Sequence, residues 1–397
     1  MPQQSTKGLR LTIIGGGAAG FFLAVNVKRM VPSLDVTICE KRRKVLAKVE
    51  VSGGGRCNCT NTFEEITDLR QAYPRGASLL KRLFRRFGPK ETYEWFENHG
   101  VPLTVQEDQC VFPQAQDSHA IINCLVGEAR RLGVRIRTDC KVDVSALLDD
   151  NASDHACFAD ADFVALTIGG TPRRNGCVPS LFTFNIHDEA LHRLMGTVVE
   201  DCIVSIPGTK MRAQGALLIT HWGMSGPAIL RLSSYAARLL AESDYRSPLL
   251  VNWVGETNAE EVRGALVACL SENAQKQMAN IRPFGLPSRL WEYLLQKASV
   301  ADKRCTEASR KDINRLTELL TADPYSIAGR CHHKEEFVTC GGVSLDDIDR
   351  DTLESKLTPN LFFAGEVLDI DGITGGFNLQ AAWTTAYTVA EAIRCRV

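Results

Sequence analysis

The stretch LRLTIIGGGAAGFFLAVNVKRM, followed by DVTICE ending at Glu40, constrains this chain more than any other feature. An apolar strand over residues 9–14 runs into Gly15-Gly16-Gly17-Ala18-Ala19-Gly20 and then into a helical pattern. Gly15 allows the tight turn, and Gly17 lets a pyrophosphate approach the backbone. Ala18 and Ala19 open the helix, and Gly20 lets helix and strand pack closely. The helix N-terminus faces phosphate charge, and Glu40 ends the second strand where a carboxylate accepts hydrogen bonds from a ribose. A glycine-rich turn without a ligand gives no reason for that acid. The pattern predicts a dinucleotide site on a doubly wound α/β sheet.

Two later glycine clusters favour FAD over NAD. In EVSGGGRCNCTN, residues 50–61, Ser52, Gly53, Gly54, Gly55, Arg56, Cys57 and Asn58 lie just past the second strand. Consecutive glycines there expose N–H groups to phosphate or to flavin edge atoms. Near the C-terminus a strand over residues 361–364 ends in Gly365-Glu366, which suits the ribityl chain. Gly375-Gly376-Phe377-Asn378 then opens a helix whose N-terminus meets negative charge at the flavin pyrimidine edge. ADFVALTIGGTP brings Gly169 and Gly170 back toward the cofactor, and the backbone near Val142 flanks the adenine. Lys41, in the run Lys41-Arg42-Arg43-Lys44, either rims the adenosine phosphates or is plain surface charge.

Cys57 and Cys59 read either as a redox pair or as bystanders in a backbone cradle. A Cys-x-Cys disulfide closes a small strained ring, and no second GxGxxG offers a nicotinamide domain. The cradle is the better reading. The 14 cysteines are scattered without any CxxC, which suits reduced thiols in a cytoplasmic protein rather than a disulfide framework. No signal peptide or membrane-spanning run is read. A net charge of −1 gives no general reason to expect nucleic acid or membrane as a partner, so a small-molecule substrate is expected.

Together these stretches, with VFPQAQDSHAIINCL, LLITHWGMSGPAIL and EEFVTCGGVSLDDID, cover nearly the whole chain in one order. In them the chain resembles the bacterial FAD-dependent oxidoreductases of aminoacetone-oxidase-like or bile-acid-dehydroxylation type. The resemblance implies a glutathione-reductase-like, two-dinucleotide-binding fold with non-covalent FAD. It also implies a discontinuous FAD domain over 1–185 and 341–397. An inserted domain over 186–340 is expected, β-barrel-like with a small helical part at roughly 255–325. Members usually carry Gly-Arg-Lys where this chain reads Leu46-Ala47-Lys48, so Lys48 remains to meet a phosphate and the arginine does not. Members also tend to carry Thr-Gly-Asp-Gly where this chain has Phe184-Asn185-Ile186-His187-Asp188.

Other clusters take plainer readings. Cys331, His332, His333 and Cys340 match no standard zinc spacing, and no metal is expected. Lys81, Arg82, Arg85 and Arg86 at helical spacing suit a solvated face better than an RNA patch. His221 either reaches a substrate or is structural. Asp369 and Asp371 shape a turn or position substrate. The expected activity is hydride transfer between flavin N5 and a small organic substrate, or a transient NAD(P)H, with oxygen or an organic acceptor reoxidising the flavin. No residue stands out as the catalytic base. The rivals are a flavin-bearing module without turnover, a dithiol reductase and an RNA-modifying flavoenzyme.

Overall fold

The computed structural model describes residues 8–143, 161–170, 176–331 and 338–397. The chain divides into two compact units, 1–177 with 338–397, and 178–337.

The first unit opens with β1 (Arg10–Ile14), α1 (Ala18–Met30) and β2 (Asp35–Cys39). A short helix α2 (Ala47–Val51) and a tight turn (Ser52–Gly55) lead to β3 (Thr60–Asn61). Then come α3 (Leu69–Ala72), α4 (Ala77–Leu83), α5 (Pro89–Asn98), β4 (Leu103–Val105), β5 (Cys110–Pro113), α6 (His119–Arg131), β6 (Arg135–Arg137) and β7 (Phe163–Leu166). The second unit holds β8 (Val178–Ser180), β9 (Phe184–Ile186), α7 (Glu189–His192), β10 (Val198–Ser205), β11 (Arg212–Thr220) and β12 (Gly223–Ser225). It continues through α8 (Pro227–Tyr235), α9 (Ala237–Glu242), β13 (Ser247–Asn252), α10 (Ala259–Glu272), α11 (Ser288–Ala298), α12 (Arg310–Ala322) and β14 (Asp323–Arg330). The chain returns to the first unit with β15 (Val338–Cys340), β16 (Leu361–Phe363) and α13 (Phe377–Arg394).

In the first unit a parallel sheet runs β16-β7-β1-β2-β6. Strands β1, β7 and β16 are near-continuous apolar runs because helices cover a parallel sheet, whereas the edge strand β6 reads Arg135-Ile136-Arg137 with both arginines exposed. Helix α1 packs against α13 and α6. Phe22 of α1 is fully buried, with Trp95, Trp383 and Phe87 rings at 4.7, 5.1 and 5.4 Å. Burying one such side chain stabilises the fold by about 1.5–3 kcal/mol. Helix α13 also buries Gln380, Thr384, Thr385 and Thr388, and each is hydrogen-bonded: Gln380 Nε2 donates to Thr384 Oγ1 at 3.0 Å, and Thr384 donates to the Phe87 carbonyl at 2.8 Å. A smaller antiparallel sheet, β3-β5-β4, lies beyond the glycine turn.

The second unit is a closed antiparallel barrel, β10-β11-β12-β9-β14-β13, with α10, α11 and α12 inserted between β13 and β14. Phe184, Ile186, Leu217, Ile219 and Met224 share one apolar core with Trp253, Trp291 and Leu316. Strand β9 closes the barrel by pairing with both β12 and β14, which is why residues 184–186 belong to this unit and not to the first. Helices α8 and α9 are separated at Ala236, and Gly226 caps α8 with Pro227 at its first position. No strand is formed over residues 141–143.

Candidate functional site

The β1–α1 turn is built around contacts that only glycine permits. A Cβ on Gly15 would overlap the Thr167 carbonyl oxygen, and one on Gly20 would overlap the Gly15 carbonyl. Around Gly17 the opposite holds, because a Cβ there would meet nothing within 4 Å. The first turn of α1, with Ala18 and buried Ala19, therefore presents its N–H groups beside open space, with no acidic residue and no side-chain cap. Glu40 is held against this turn. Its Oε2 accepts from the Gly16 N–H at 2.8 Å and its Oε1 from the Arg42 N–H at 2.9 Å. Each oxygen keeps a lone pair for a ribose hydroxyl. Lys41 is exposed beside it, and Val142 follows Cys140, whose N–H donates to the Glu40 carbonyl at 2.9 Å.

Leu46 sits where the resembled family carries glycine. It keeps a left-handed backbone (φ 55°), is buried, and donates its N–H to the Gly16 carbonyl at 2.8 Å. Ser52 then starts the glycine turn, its Oγ donating to the Val49 carbonyl at 2.8 Å. Gly53, Gly54 and Gly55 are all left-handed. A Cβ on Gly53 would strike the Asn58 N–H and the Phe112 ring, whereas Gly54 and Gly55 face open space. Arg56 folds back, donating to the Gly53 carbonyl at 3.2 Å with its guanidinium 4.3 Å from the centre of the Phe112 ring. Cys57 and Cys59 are free and fully buried. Burial pushes the Cys57 thiol up to about 12 and raises that of Cys59 as well. Neither is poised as a thiolate nucleophile.

A second group gathers where β7 and β16 end. Lys48 Nζ pairs with Glu366 Oε2 at 2.7 Å, and Glu366 Oε1 accepts from the Thr339 N–H at 2.8 Å. A Cβ on Gly170 would run into Thr339 and Glu366, one on Gly169 would come within 3.7 Å of Glu366, and one on Gly365 would lie 2.8 Å from the Ala19 Cβ. Lys48, Gly169, Gly170, Gly365 and Glu366 are thus brought together.

At the start of α13 the expected residues hold one another. The Asn58 amide, oriented by its hydrogen bonds, accepts from the Gly376 N–H at 3.2 Å and donates to the Thr60 carbonyl at 2.9 Å. A Cβ on Gly376 would overlap that same Thr60 carbonyl. Asn61 Nδ2 donates to the Gly375 carbonyl at 3.2 Å, Tyr73 donates to the Phe377 carbonyl at 2.7 Å, and Asn378 bridges both backbone groups of Gly372. The N–H groups left to a ligand here are those of the first helical turn, not that of Gly376. Buried Asp371 pairs with Arg75 and shapes this loop. Arg75 lies in none of the quoted stretches, and Thr339 and Asn61 lie in stretches read for their glycines and cysteines, so nothing in the sequence singled these three out.

The remaining candidates fall elsewhere. His332 and His333 lie outside the described residues, and among those described no three His, Cys, Asp or Glu side chains gather as a metal site. Lys81, Arg82, Arg85 and Arg86 do not share one helix, because α4 ends at Leu83. Arg82 and Arg86 both bond to Asp351, so only Lys81 and Arg85 face solvent without such a partner. His221 is exposed in the β11–β12 turn, edge-on to Trp222 with ring centres 4.5 Å apart.

The chain resembles several characterised proteins across almost its whole length. It is 27% identical to a 3-dehydro-bile acid delta(4,6)-reductase of Clostridium scindens, over 96% of this chain and 98% of that one. It is 28% identical to a ribosomal RNA dihydrouridine synthase of Escherichia coli, over 96% of each. Among solved structures, a 3-ketosteroid delta1-dehydrogenase of Sterolibacterium denitrificans overlays with a TM-score of 0.42 at 11% identity, over 98% of this chain and 99% of that one. The pattern described as "HI0933-like protein Rossmann domain" matches residues 9–392, and the chain belongs to that HI0933-like family.

Proposed function

We propose that this FAD-dependent oxidoreductase reduces a carbon–carbon double bond conjugated with a carbonyl group, using a reduced nicotinamide as electron source. The observation that carries the reading is a chemistry common to two relatives whose substrates differ greatly in size. A 3-oxo steroid with 4,6 double bonds and the uracil ring of RNA both offer a C=C bond polarised by a carbonyl. FAD, when bound, supplies a hydride to one carbon of such a bond.

The residues present fit that cofactor. The open side of Gly17 and the first turn of α1 would take the pyrophosphate, and Glu40 would accept from the ribose. Gly54 and Gly55 leave space for a close approach by the cofactor. The first turn of α13 offers N–H groups and the positive end of a helix dipole to the pyrimidine edge. With Cys57 and Cys59 buried as thiols, the chain holds FAD without a covalent bond and passes no electrons through a dithiol.

Within the family we place the chain with bile-acid-type rather than amine-oxidising flavoproteins. The sheet order supports the glutathione-reductase-like assignment, and the barrel supports an inserted domain. A cytoplasmic location is supported by the absence of disulfides among the described cysteines. The test is anaerobic reduction of the FAD-loaded protein by NADH or NADPH, followed by a 3-oxo-4,6-diene steroid or a uridine-containing RNA. Flavin should bleach and recover, and the product should gain two hydrogens by mass. Recovery with neither acceptor, together with flavin reduction by small amines, would overturn the reading.

A further inference from the structure

We propose that Thr60 is a positioning residue that aims the first turn of α13 at the pyrimidine edge of the flavin, and so sets how strongly the protein prefers reduced FAD. The inference rests on the FAD reading above and deepens it by naming what holds that helix end. It does not depend on which acceptor is reduced. Three consecutive residues, Asn58, Cys59 and Thr60, hold α13 along one stripe. Asn58 accepts from the Gly376 N–H at 3.2 Å. The Thr60 carbonyl lies so close to Gly376 that a Cβ there would come within 2.3 Å of its oxygen. One turn further on, Thr60 Oγ1 donates to Gln380 Oε1 at 2.5 Å, and Trp383 Nε1 donates to the Cys59 carbonyl at 2.9 Å. Positions 376, 380 and 383 share one face of the helix.

Thr60 therefore meets α13 at two points, with its carbonyl at residue 376 and its hydroxyl at residue 380. Four residues of helix span about 6 Å. Two points that far apart fix the direction of the axis as well as the place of its start. Gln380 Nε2 continues the chain to Thr384, which donates to the Phe87 carbonyl, so the amide is held from both sides.

Packing alone does not account for this arrangement. Thr60, Gln380 and Thr384 are all buried. Replacing both partners of a buried hydrogen bond by apolar groups of the same shape is nearly neutral for stability. Hydrogen bonds are directional and apolar contact is not, so the row specifies an orientation rather than a strength. Asn58 also lies three residues beyond Gly55, so the glycine turn and the start of α13 are held in one frame.

Reduction places negative charge at the pyrimidine edge of a flavin. The start of α13 is the positive end of an 18-residue helix with no acidic residue in its first turn. That attraction falls off within a turn, so a displaced helix start loses it. The oxidised flavin lacks the charge and is affected less.

The test measures the dissociation constants of oxidised and of dithionite-reduced FAD for the full chain under anaerobic conditions, and takes their ratio. Wild type should bind the reduced form more tightly. Thr60→Val should lower that preference at least about fivefold, with a smaller change for oxidised FAD, which the Gly17 turn and Glu40 hold separately. Thr60→Ser keeps the hydroxyl and should keep the ratio. Combining Thr60→Val with Gln380→Leu makes both partners apolar, so it should recover the thermal stability that Thr60→Val loses and still leave the ratio low. A ratio lowered as far by Thr60→Ser, or restored together with stability in the double variant, would assign Thr60 a packing role and overturn the proposal. A wild-type preference that survives in Thr60→Val removes the positioning role alone. A wild type that binds both forms equally overturns the placing of α13 at the flavin as well. Reduction of the steroid or of uridine tests the conjugated-bond reading independently of these results.

Discussion

Single residues here show how a local cost is tolerated when a larger gain depends on it. Leu46 holds a left-handed backbone that costs a branched side chain about 1–2 kcal/mol. Its side chain is buried, and emptying such a site costs about 2.7–5.0 kcal/mol, so burial outweighs the strain and leucine stands in for glycine. His99 gives the clearest pH signature. Its Nδ1 lies 2.5 Å from the Trp95 carbonyl, its ring stacks on Trp95 at 3.9 Å, and its Nε2 is buried without a partner. Burial, with Arg29 and Arg131 adding to it, holds the imidazole below its ordinary 6.5, against the opposing pull of the Trp95 carbonyl and Glu128. The neutral form is favoured in the folded state. The stability it contributes is therefore fully present above pH 6.5 and is lost as pH falls through the lowered value. Urea midpoints measured from pH 7.5 downward should decline below about 6.5 in the wild type, and His99→Gln should flatten that limb. Identical pH slopes in the two proteins would show that His99 contributes nothing.

At the scale of elements, two glycines with similar motifs should fail in opposite ways. Gly54 faces open space with a left-handed backbone, so Gly54→Val meets strain of about 1–3 kcal/mol but no atom of the protein. It should lower FAD affinity more than tenfold in a protein that still folds. Gly376→Ala drives a Cβ into the Thr60 carbonyl and disturbs the Asn58 clamp, so it should lower apoprotein stability first. Thermal melts of the apoproteins beside FAD titrations would separate the two, and full FAD occupancy in Gly54→Val would remove the cradle argument. This contrast marks what was legible in the sequence. The β1–turn–α1–β2 unit was readable because Gly20 meets the Gly15 carbonyl and Glu40 meets the Gly16 N–H, neighbours that the local strand and helix pattern already places. Gly376 read as a donor to flavin, and its N–H goes instead to Asn58, a contact across more than three hundred residues. The closing of the barrel through β9 was illegible for the same reason, since its partners β12 and β14 are chosen by tertiary register. The Glu366–Thr339 bond follows that pattern, because the stretch that contains Thr339 gives no sign of its partner near the C-terminus.

For the whole molecule, the division into two units implies that stability can be shifted in one without the other. The apolar core of the second unit lies entirely within residues 182–327 and surrounds a polar centre. Asp323 is fully buried and accepts from Trp253 Nε1 at 3.1 Å, from Tyr325 and from Lys297. Tyr293 joins Tyr325 at 3.2 Å to Asp188 at 3.1 Å. Asp323→Asn removes the charge that Lys297 faces and brings an amide N–H₂ among donors. Breaking a buried pair costs about 3–5 kcal/mol, and the low end applies because Lys297 keeps 25% of its side chain in solvent. The residues proposed to hold FAD, Gly17, Glu40, Gly54 and the first turn of α13, all belong to the other unit. A ligand at a hundred times its dissociation constant stabilises the state that binds it by about 2.7 kcal/mol. Calorimetry of the wild type should therefore show a transition that rises with added FAD and a second that does not. Asp323→Asn should lower only the second, and Gly15→Val, which strikes the Thr167 carbonyl, should abolish the FAD shift of the first. A single transition moved alike by FAD and by Asp323→Asn would mean that the barrel and the parallel sheet unfold as one, and that the separate cores do not confer separate stabilities.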